Sequence, residues 1–319
     1  MIKKAQADKK KNWKHFLLNG VAFLVLIILF DFILGHLLQY YYFKIKSGTQ
    51  YRTTYSIEKT KADIIIFGSS RAMDHYNPFV FENRYNLSYY NAGRDGENSV
   101  LYHYAVLKAI LKRYTPKIVI LDMMPNEFAN TSESYDKLAS LSPYYNPHPE
   151  MRPILNLRSR TEKIKMLSGI YPFNSTIMNI ISGNFGLEDK KYIKGYYVIA
   201  SSYIITKPLE TIDKSKVYQL DSIKVNVLKS FISDCNRANI KLYIVCSPIY
   251  TKFIGTDYSI VAAKKIAADN NISFFDFSQE SPFLESPKLF YNSLHLNDSG
   301  ARIFSNMLID KIFLNEKTQ

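Results

Sequence analysis

ADIIIFGSSR, residues 62–71, carries an unbroken apolar run that stops at Gly68 and two serines. A run with no polar alternation suits a strand covered on both faces, the habit of parallel sheets in α/β proteins. Four further runs share that character: LSYYNAG (87–93), KIVILDMM (117–124), KLYIVCSPIY (241–250) and ISFFDFS (272–278). Helical periodicity fills the spaces between them. Val100, Tyr104, Leu107, Leu111 and Tyr114 repeat at three and four residues before Thr115-Pro116 stops the pattern. Ile223, Val227, Phe231, Cys235 and Ala238 mark a second amphipathic helix, and YSIVAAKKIAADN (258–270) a third. The expected fold class is therefore α/β, a three-layer sandwich with a parallel five-stranded sheet. Ligands of such sheets bind outside the carboxyl ends of the strands, and chemistry is expected there.

Upstream of the first strand the chain changes character. Residues 1–15 form a basic tail, with Lys3, Lys4, Lys9, Lys10, Lys11 and Lys14 opposed only by Asp8. FLLNGVAFLVLIILFDFILGHLL (16–38) then has the ~20-residue apolar length of a transmembrane helix, longer than the ~7 to 15 residues of a signal-peptide core. Tyr40, Tyr41, Tyr42 and Phe43 read as an interfacial aromatic belt. Lysines before the span place the N-terminus in the cytoplasm and the rest outside by the positive-inside rule, a single-pass cell-membrane topology with an extracytoplasmic C-terminal domain. Asp31 and His36 fall in the outer half of the span. They either approach the interface, or Asp31 faces a polar group on a partner membrane protein. Residues 39–61 read as a linker and 62–319 as the globular domain. Within that domain about 128–211 is far longer than an ordinary connection and is expected to be an insertion or lid, with two helices in RSRTEKIKMLSGIYPFNSTIMNIISG (158–183).

The net charge of +13 is partly this local tail, so nucleic acid is not expected as a partner. A content of 47% hydrophobic and 22% charged residues suits a chain with a sizeable core and argues against disorder. Cys235 and Cys246 fall on an apolar helical face and in an apolar strand, as small buried hydrophobes rather than a disulfide framework. No HExxH or clustered His/Cys pattern is present, so no metal and no cofactor are expected. Gly93-Arg94-Asp95-Gly96 lacks the spacing of a dinucleotide fingerprint.

Polar residues gather where the apolar runs end. Gly68-Ser69-Ser70 follows the first run, Asn91-Ala92-Gly93 the second and Pro125-Asn126-Glu127 the third. Asn292-Ser293-Leu294-His295 precedes a capped helix that begins near Ser299. This order of strand-end Ser, Gly and Asn and a late His resembles the four blocks of the SGNH/GDSL hydrolases, over roughly Asp63 to Phe313 with the insertion excluded. The resemblance implies an SGNH/flavodoxin-like sandwich in which Ser70 is the nucleophile, His295 the general base, and Gly93 and Asn126 oxyanion donors beside the Ser70 N–H. Those parts meet the needs of acyl transfer: a weak hydroxyl nucleophile needs a base, and the tetrahedral intermediate needs preorganised donors. The chain departs from the family three residues before the His, where Asn292 stands in place of Asp. Either Asn292 orients His295 in a dyad-like site, or Asp298 or Glu127 replaces the acid, or the site is degenerate. An Asp-to-Asn change in a serine triad costs ~10⁴ in turnover through the wrong tautomer.

Arg71, Arg94 and Arg152 are candidate contacts for an anionic or hydroxyl-rich substrate around the cleft, with ordinary surface charge or ion pairing the alternative, and His75 either lines the same cleft or is a solvated or structural turn residue. His103 and His148 have no spaced ligand partner, and exposed tyrosines of the insertion would suit stacking on sugar rings. A span followed by an outward SGNH-like domain resembles proteins that add or remove acyl groups on teichoic acid or other cell-surface polysaccharides. This implies an O-acyltransferase or acyl esterase acting on a cell-surface polysaccharide or other acylated glycan. A transferase would need an integral membrane partner that exports the acyl group. The rival expectation is a catalytically degenerate protein of the same fold that binds glycan or assembles with a membrane partner.

Overall fold

The computed structural model describes residues 2–186 and 192–318, with side chains from 12 to 186 and from 192 to 317. Most lysines of the basic tail, and 187–191 of the insertion, lie outside the described side chains. A long helix, α1 (Ile2–Lys44), is followed by β1 (Ile64–Phe67), α2 (Ser70–His75), β2 (Tyr89–Asn91), α3 (Val100–Arg113) and β3 (Ile118–Asp122). After the insertion come α4 (Ser222–Arg237), β4 (Lys241–Cys246), α5 (Tyr258–Asp269), β5 (Ser273–Asp276) and α6 (Asp298–Thr318). The five strands form one sheet in the order β2-β1-β3-β4-β5, and every neighbouring pair is parallel. The five apolar runs thus become the five strands of an α/β sandwich.

Alternation along each strand divides the core between the two faces of the sheet. Ile65, Phe67, Val119, Leu121, Leu242 and Ile244 pack with Leu107 and Ile110 of α3, Leu228 and Phe231 of α4 and Ala263 of α5. Ile64, Ile66, Ile120 and Val245 face the other way, against Ala72 of α2 and Phe304, Leu308 and Ile312 of α6. Helix starts are set by short polar side chains. Ser99 accepts from the Leu101 N–H, Asp221 from Ile223 and Lys224, and Asp257 from Ser259 and Ile260. Each satisfies amides that the first helical turn leaves without partners.

Two stretches differ from expectation. Residues 39–61 are not an open linker: Gly48–Thr54 is helical and Tyr55–Lys59 continues it as a wider turn, with Arg52, Thr53, Thr54 and Ser56 buried. Arg52 donates from Nη2 to the carbonyls of Gly93 and Gly195 (2.6 Å each), which ties this segment to the loop after β2 and to the insertion. The insertion is mostly short turns. Its expected helices are Glu162–Lys165 and Ile177–Asn184, joined by a tight 3₁₀ turn at Tyr171–Phe173.

α1 contains one stretch, Asn12–Lys44, long and apolar enough to cross a membrane.

Candidate active site

In the strand order found here the chain reverses direction of travel between β1 and β3, the crevice where such sheets hold their ligands. Gly68 leaves β1 at φ +148, and a Cβ there would lie 2.7 Å from Ala72 Cβ and 2.9 Å from the Asp122 carbonyl oxygen. Only glycine allows the turn to fold this tightly against β3. Ser69 then caps α2 by accepting from the Arg71 N–H, which puts half-buried Ser70 at the first helical position, at the sheet's edge.

His295 arrives from 225 residues away and places Nε2 2.8 Å from Ser70 Oγ. Its Nδ1 lies 2.9 Å from Asn292 Oδ1, which also accepts from the backbone N–H of Leu294 (2.9 Å) and His295 (3.0 Å). Two backbone donors on that oxygen identify it as the amide oxygen, so Nδ1 must carry the ring proton. Nε2 is left with its lone pair facing the serine hydroxyl, the tautomer a general base needs. Burial, and secondarily the buried Arg71 cation, hold the imidazole below its ordinary pKa of 6.5, with Asp95 pulling the other way.

Neither alternative acid reaches this histidine. Asp298 accepts from Asn77 Nδ2 (3.1 Å) and Tyr196 OH (3.0 Å) and pairs with Arg302. Glu127 is buried with its carboxylate on the Val100 N–H (2.7 Å), and burial pushes its pKa up to about 7.

The residues expected to bind an oxyanion have other partners. The Gly93 N–H donates to Asn91 Oδ1 at 2.9 Å. A Cβ at Gly93 would sit 2.7 Å from the Met73 amide nitrogen, so this glycine is required for the close approach of its loop to α2. Asn126 sits at φ +63 with its N–H on the Asp257 carboxylate (3.0 and 3.1 Å). Its amide donates from Nδ2 to Asp257 (2.9 Å) and accepts from Lys214 Nζ (2.7 Å).

Arg71, His75 and Arg94, expected at the cleft surface, point inward instead. Arg71 is 1% exposed and donates to Ser247 Oγ (2.7 and 3.2 Å) and to the Ser247 carbonyl. Arg94 pairs with Glu97 (3.9 Å) and donates to Thr53. His75 is fully buried: its Nε2 accepts from the Leu296 N–H (3.0 Å), so its Nδ1–H donates to Ser247 Oγ (3.0 Å). Ser247 in turn donates to Asp122 (3.1 Å), which also accepts from Tyr76 OH (2.9 Å). Sequence reasoning missed Asp122 and Ser247. Both are the polar residues that end an apolar run, in LDMM and VCSP, the same signal that singled out Ser70. Together this buried network ties α2, β3 and β4 to the loop that carries His295.

The insertion supports that loop from outside. The Ile205 N–H donates to the Phe290 carbonyl (2.7 Å), the Asp298 N–H to Ile199 (2.7 Å), and Asn297 Nδ2 to Tyr203 (3.1 Å). Exposed Tyr203 meets exposed Tyr291 edge to face at 5.9 Å. A cavity of about 610 Å³ lies elsewhere, between the 46–62 segment and β2, lined by Tyr51, Arg52, Tyr55, Tyr90, Tyr192 and Lys194 among others. It contains neither Ser70 nor His295, and hydrogen-bond geometry rather than cavity size locates the candidate site.

No family model matches the chain, and no curated protein matches it. Among solved structures it is similar to a family two carbohydrate esterase from Clostridium thermocellum, in complex with cellohexaose, at TM-score 0.40 and 9% identity. The match covers 80% of this chain and 64% of the esterase.

Proposed function

We propose that the chain is a membrane-anchored, extracytoplasmic O-acyltransferase or acyl esterase of the SGNH type, acting on a cell-surface glycan through Ser70, His295 and Asn292. The observation that carries this reading is the relay from Asn292 through His295 Nδ1–H and Nε2 to Ser70 Oγ, at 2.9 and 2.8 Å. Ser70 Oγ attacks the acyl carbonyl as its proton moves to His295 Nε2. The tetrahedral intermediate collapses as that proton passes to the leaving sugar oxygen, giving an acyl-Ser70 and a free alcohol. Water deacylates an esterase, whereas a second sugar hydroxyl deacylates a transferase, in each case with His295 taking the incoming proton. Asn292 fixes the tautomer but brings no negative charge to the imidazolium, so its help is orientation alone. The apolar length of α1 supports the anchor, and the exposed Tyr203 and Tyr291 beside the His295 loop offer apolar faces to a sugar ring. Transfer from a cytoplasmic donor would need a membrane partner that exports the acyl group.

A second reading, a binding protein that retains the fold, is favoured by the occupied donors. The Gly93 N–H and the Asn126 amide are spent on Asn91 and Asp257. Labelling with an alkyl serine phosphonate and locating the adduct by mass spectrometry separates the two. The enzyme reading expects the adduct on Ser70 and its loss in Ser70→Ala. An unlabelled Ser70 in folded protein would favour binding.

A further inference from the structure

The carboxylate of Asp31, within the apolar part of α1, is taken up by the protein's own insertion. It accepts from Ser168 Oγ (2.6 Å), the Gly169 N–H (2.6 Å) and the Ile170 N–H (3.3 Å). Backbone meets backbone beside it: a Cβ on Gly35 would lie 2.4 Å from the Gly169 carbonyl carbon, and one on Gly169 2.9 Å from the Asp31 carbonyl oxygen. Further along, the Asn184 amide donates to the Tyr41 carbonyl (2.9 Å), and Gly183 packs on Ile45, where a Cβ would be 2.7 Å from Cγ2. The segment 168–184 is therefore laid against α1 from Asp31 to Ile45.

Asp31 precedes Leu38, the end of the apolar run, by seven residues. At ~1.5 Å per residue this puts the 168–170 turn ~10 Å inside that end. Around it the insertion turns large apolar side chains outward. Leu167 is 83% exposed, Met178 74%, Phe185 77% and Ile164 68%, with Ile181 also exposed. Met178, Ile181 and Phe185 follow at three and four residues, a single stripe along Ile177–Asn184. Exposed Arg160 and Lys163 flank the apolar side chains on the chain-entry side. Apolar side chains that face outward at the depth of the span meet hydrocarbon, and basic residues at their margin match the headgroup level.

We infer that residues 164–185 form a lobe that dips into the leaflet α1 leaves last, with Leu167, beside the 168–170 turn at Asp31, among the lipid acyl chains and Phe185, toward Tyr41 and Ile45, at the interfacial level. Asp31 then serves its own chain, fastening the lobe to the span, and needs no partner protein. Span and lobe together hold the globular domain at one height and tilt over the bilayer, where a single helix alone would let it swivel. The inference rests on the reading of α1 as a membrane span, and the test separates the two.

Trp13 is the sole tryptophan, so the full chain carrying Trp13→Phe accepts single reporters. In phosphatidylcholine–phosphatidylglycerol vesicles containing acyl-brominated lipid, Leu167→Trp is expected to lose emission to the bromolipid and to resist aqueous acrylamide, with Phe185→Trp, at the interfacial level, less affected by the bromolipid. Ile28→Trp, inside the span, behaves like Leu167→Trp, and Tyr258→Trp on α5 shows the reverse. An acrylamide-quenched reporter at 167 beside a bromolipid-quenched Ile28→Trp would overturn the lobe and leave the anchor standing. An Ile28→Trp untouched by bromolipid would overturn both. In native membranes a photoreactive residue at 178 should yield lipid adducts, and a discrete protein adduct in their place would overturn the lipid assignment.

Discussion

In the proposed mechanism, Asn292 is the residue on which activity turns. The cost of Asn in a serine triad comes largely from a ring proton on the wrong nitrogen, and here two backbone amides on Asn292 Oδ1 already impose the right one. What remains missing is charge. A hydrogen bond to a charged partner exceeds a neutral one by roughly 1 to 2 kcal/mol, so Asn292→Asp is expected to raise turnover of an activated acetyl ester by about 10-fold. Both backbone bonds survive, since a carboxylate oxygen accepts them equally well. The pH profile provides a second readout. His295 must be neutral to act, and its pKa lies below 6.5, so the wild-type acid limb should fall below that value. An adjacent carboxylate favours the imidazolium, so the limb should move to higher pH in Asn292→Asp. An unchanged profile would show that His295 is not the titrating base.

At the scale of elements, the short helix α2 carries Ser70, the proposed nucleophile, at its first residue and His75 at its last. The His75 ring bridges the two halves of the site, accepting from Leu296, next to His295, and donating to Ser247 at the end of β4. In the proposed mechanism it is a positioning residue, acting through His295 without touching substrate. His75→Ala leaves the buried Leu296 N–H without a partner, at a cost of roughly 1 to 3 kcal/mol in stability, while Ser247 Oγ keeps Arg71 and Asp122. Turnover should fall with KM little changed, because the base moves and the substrate surface does not. His75→Gln, whose amide can still accept from Leu296, should recover part of the turnover. Equal changes in kcat and KM across both variants would argue for a direct substrate role.

Across the whole molecule, burial of neutral histidines sets the response to acid. Burial drives His103 down to about 3 and His75 well below 6.5, the latter helped by the Arg71 charge. A depressed histidine pKa means that the unfolded chain binds protons first. The stabilisation is full above pH 6.5 and is lost as pH falls from there toward the folded-state values. Each such group removes roughly 1 kcal/mol per pH unit in that window. Urea unfolding from pH 7 to pH 4 should therefore show a falling midpoint, with a shallower dependence in His103→Phe. An equal slope in that variant would place the acid sensitivity elsewhere.

Chemical pattern along the chain was enough for the scaffold. Runs such as Ile64–Phe67 and KIVILD have no polar face to expose, so they must be covered on both sides, and the amphipathic stretches between them supply the covering. The same local logic marked Ser70, because polar residues that end buried strands emerge at one edge of a parallel sheet, whereas His295 was singled out by the resemblance to the SGNH hydrolases. Direction and partnership were not legible in that way. Arg71, His75 and Arg94 read as candidate substrate contacts at the cleft, yet each is buried against partners such as Ser247, Leu296 and Thr53 that no spacing rule connects to it. Residues 47–61 read as a polar linker because their hydrogen bonds go to carbonyls at 93 and 195. Asp31 likewise found its donors in a turn 137 residues away. Apolar burial is decided by the side chain itself and its near neighbours, and the sequence by itself determined it. A polar group's role depends on which donors and acceptors folding brings within about 3 Å, and that only the tertiary structure decided.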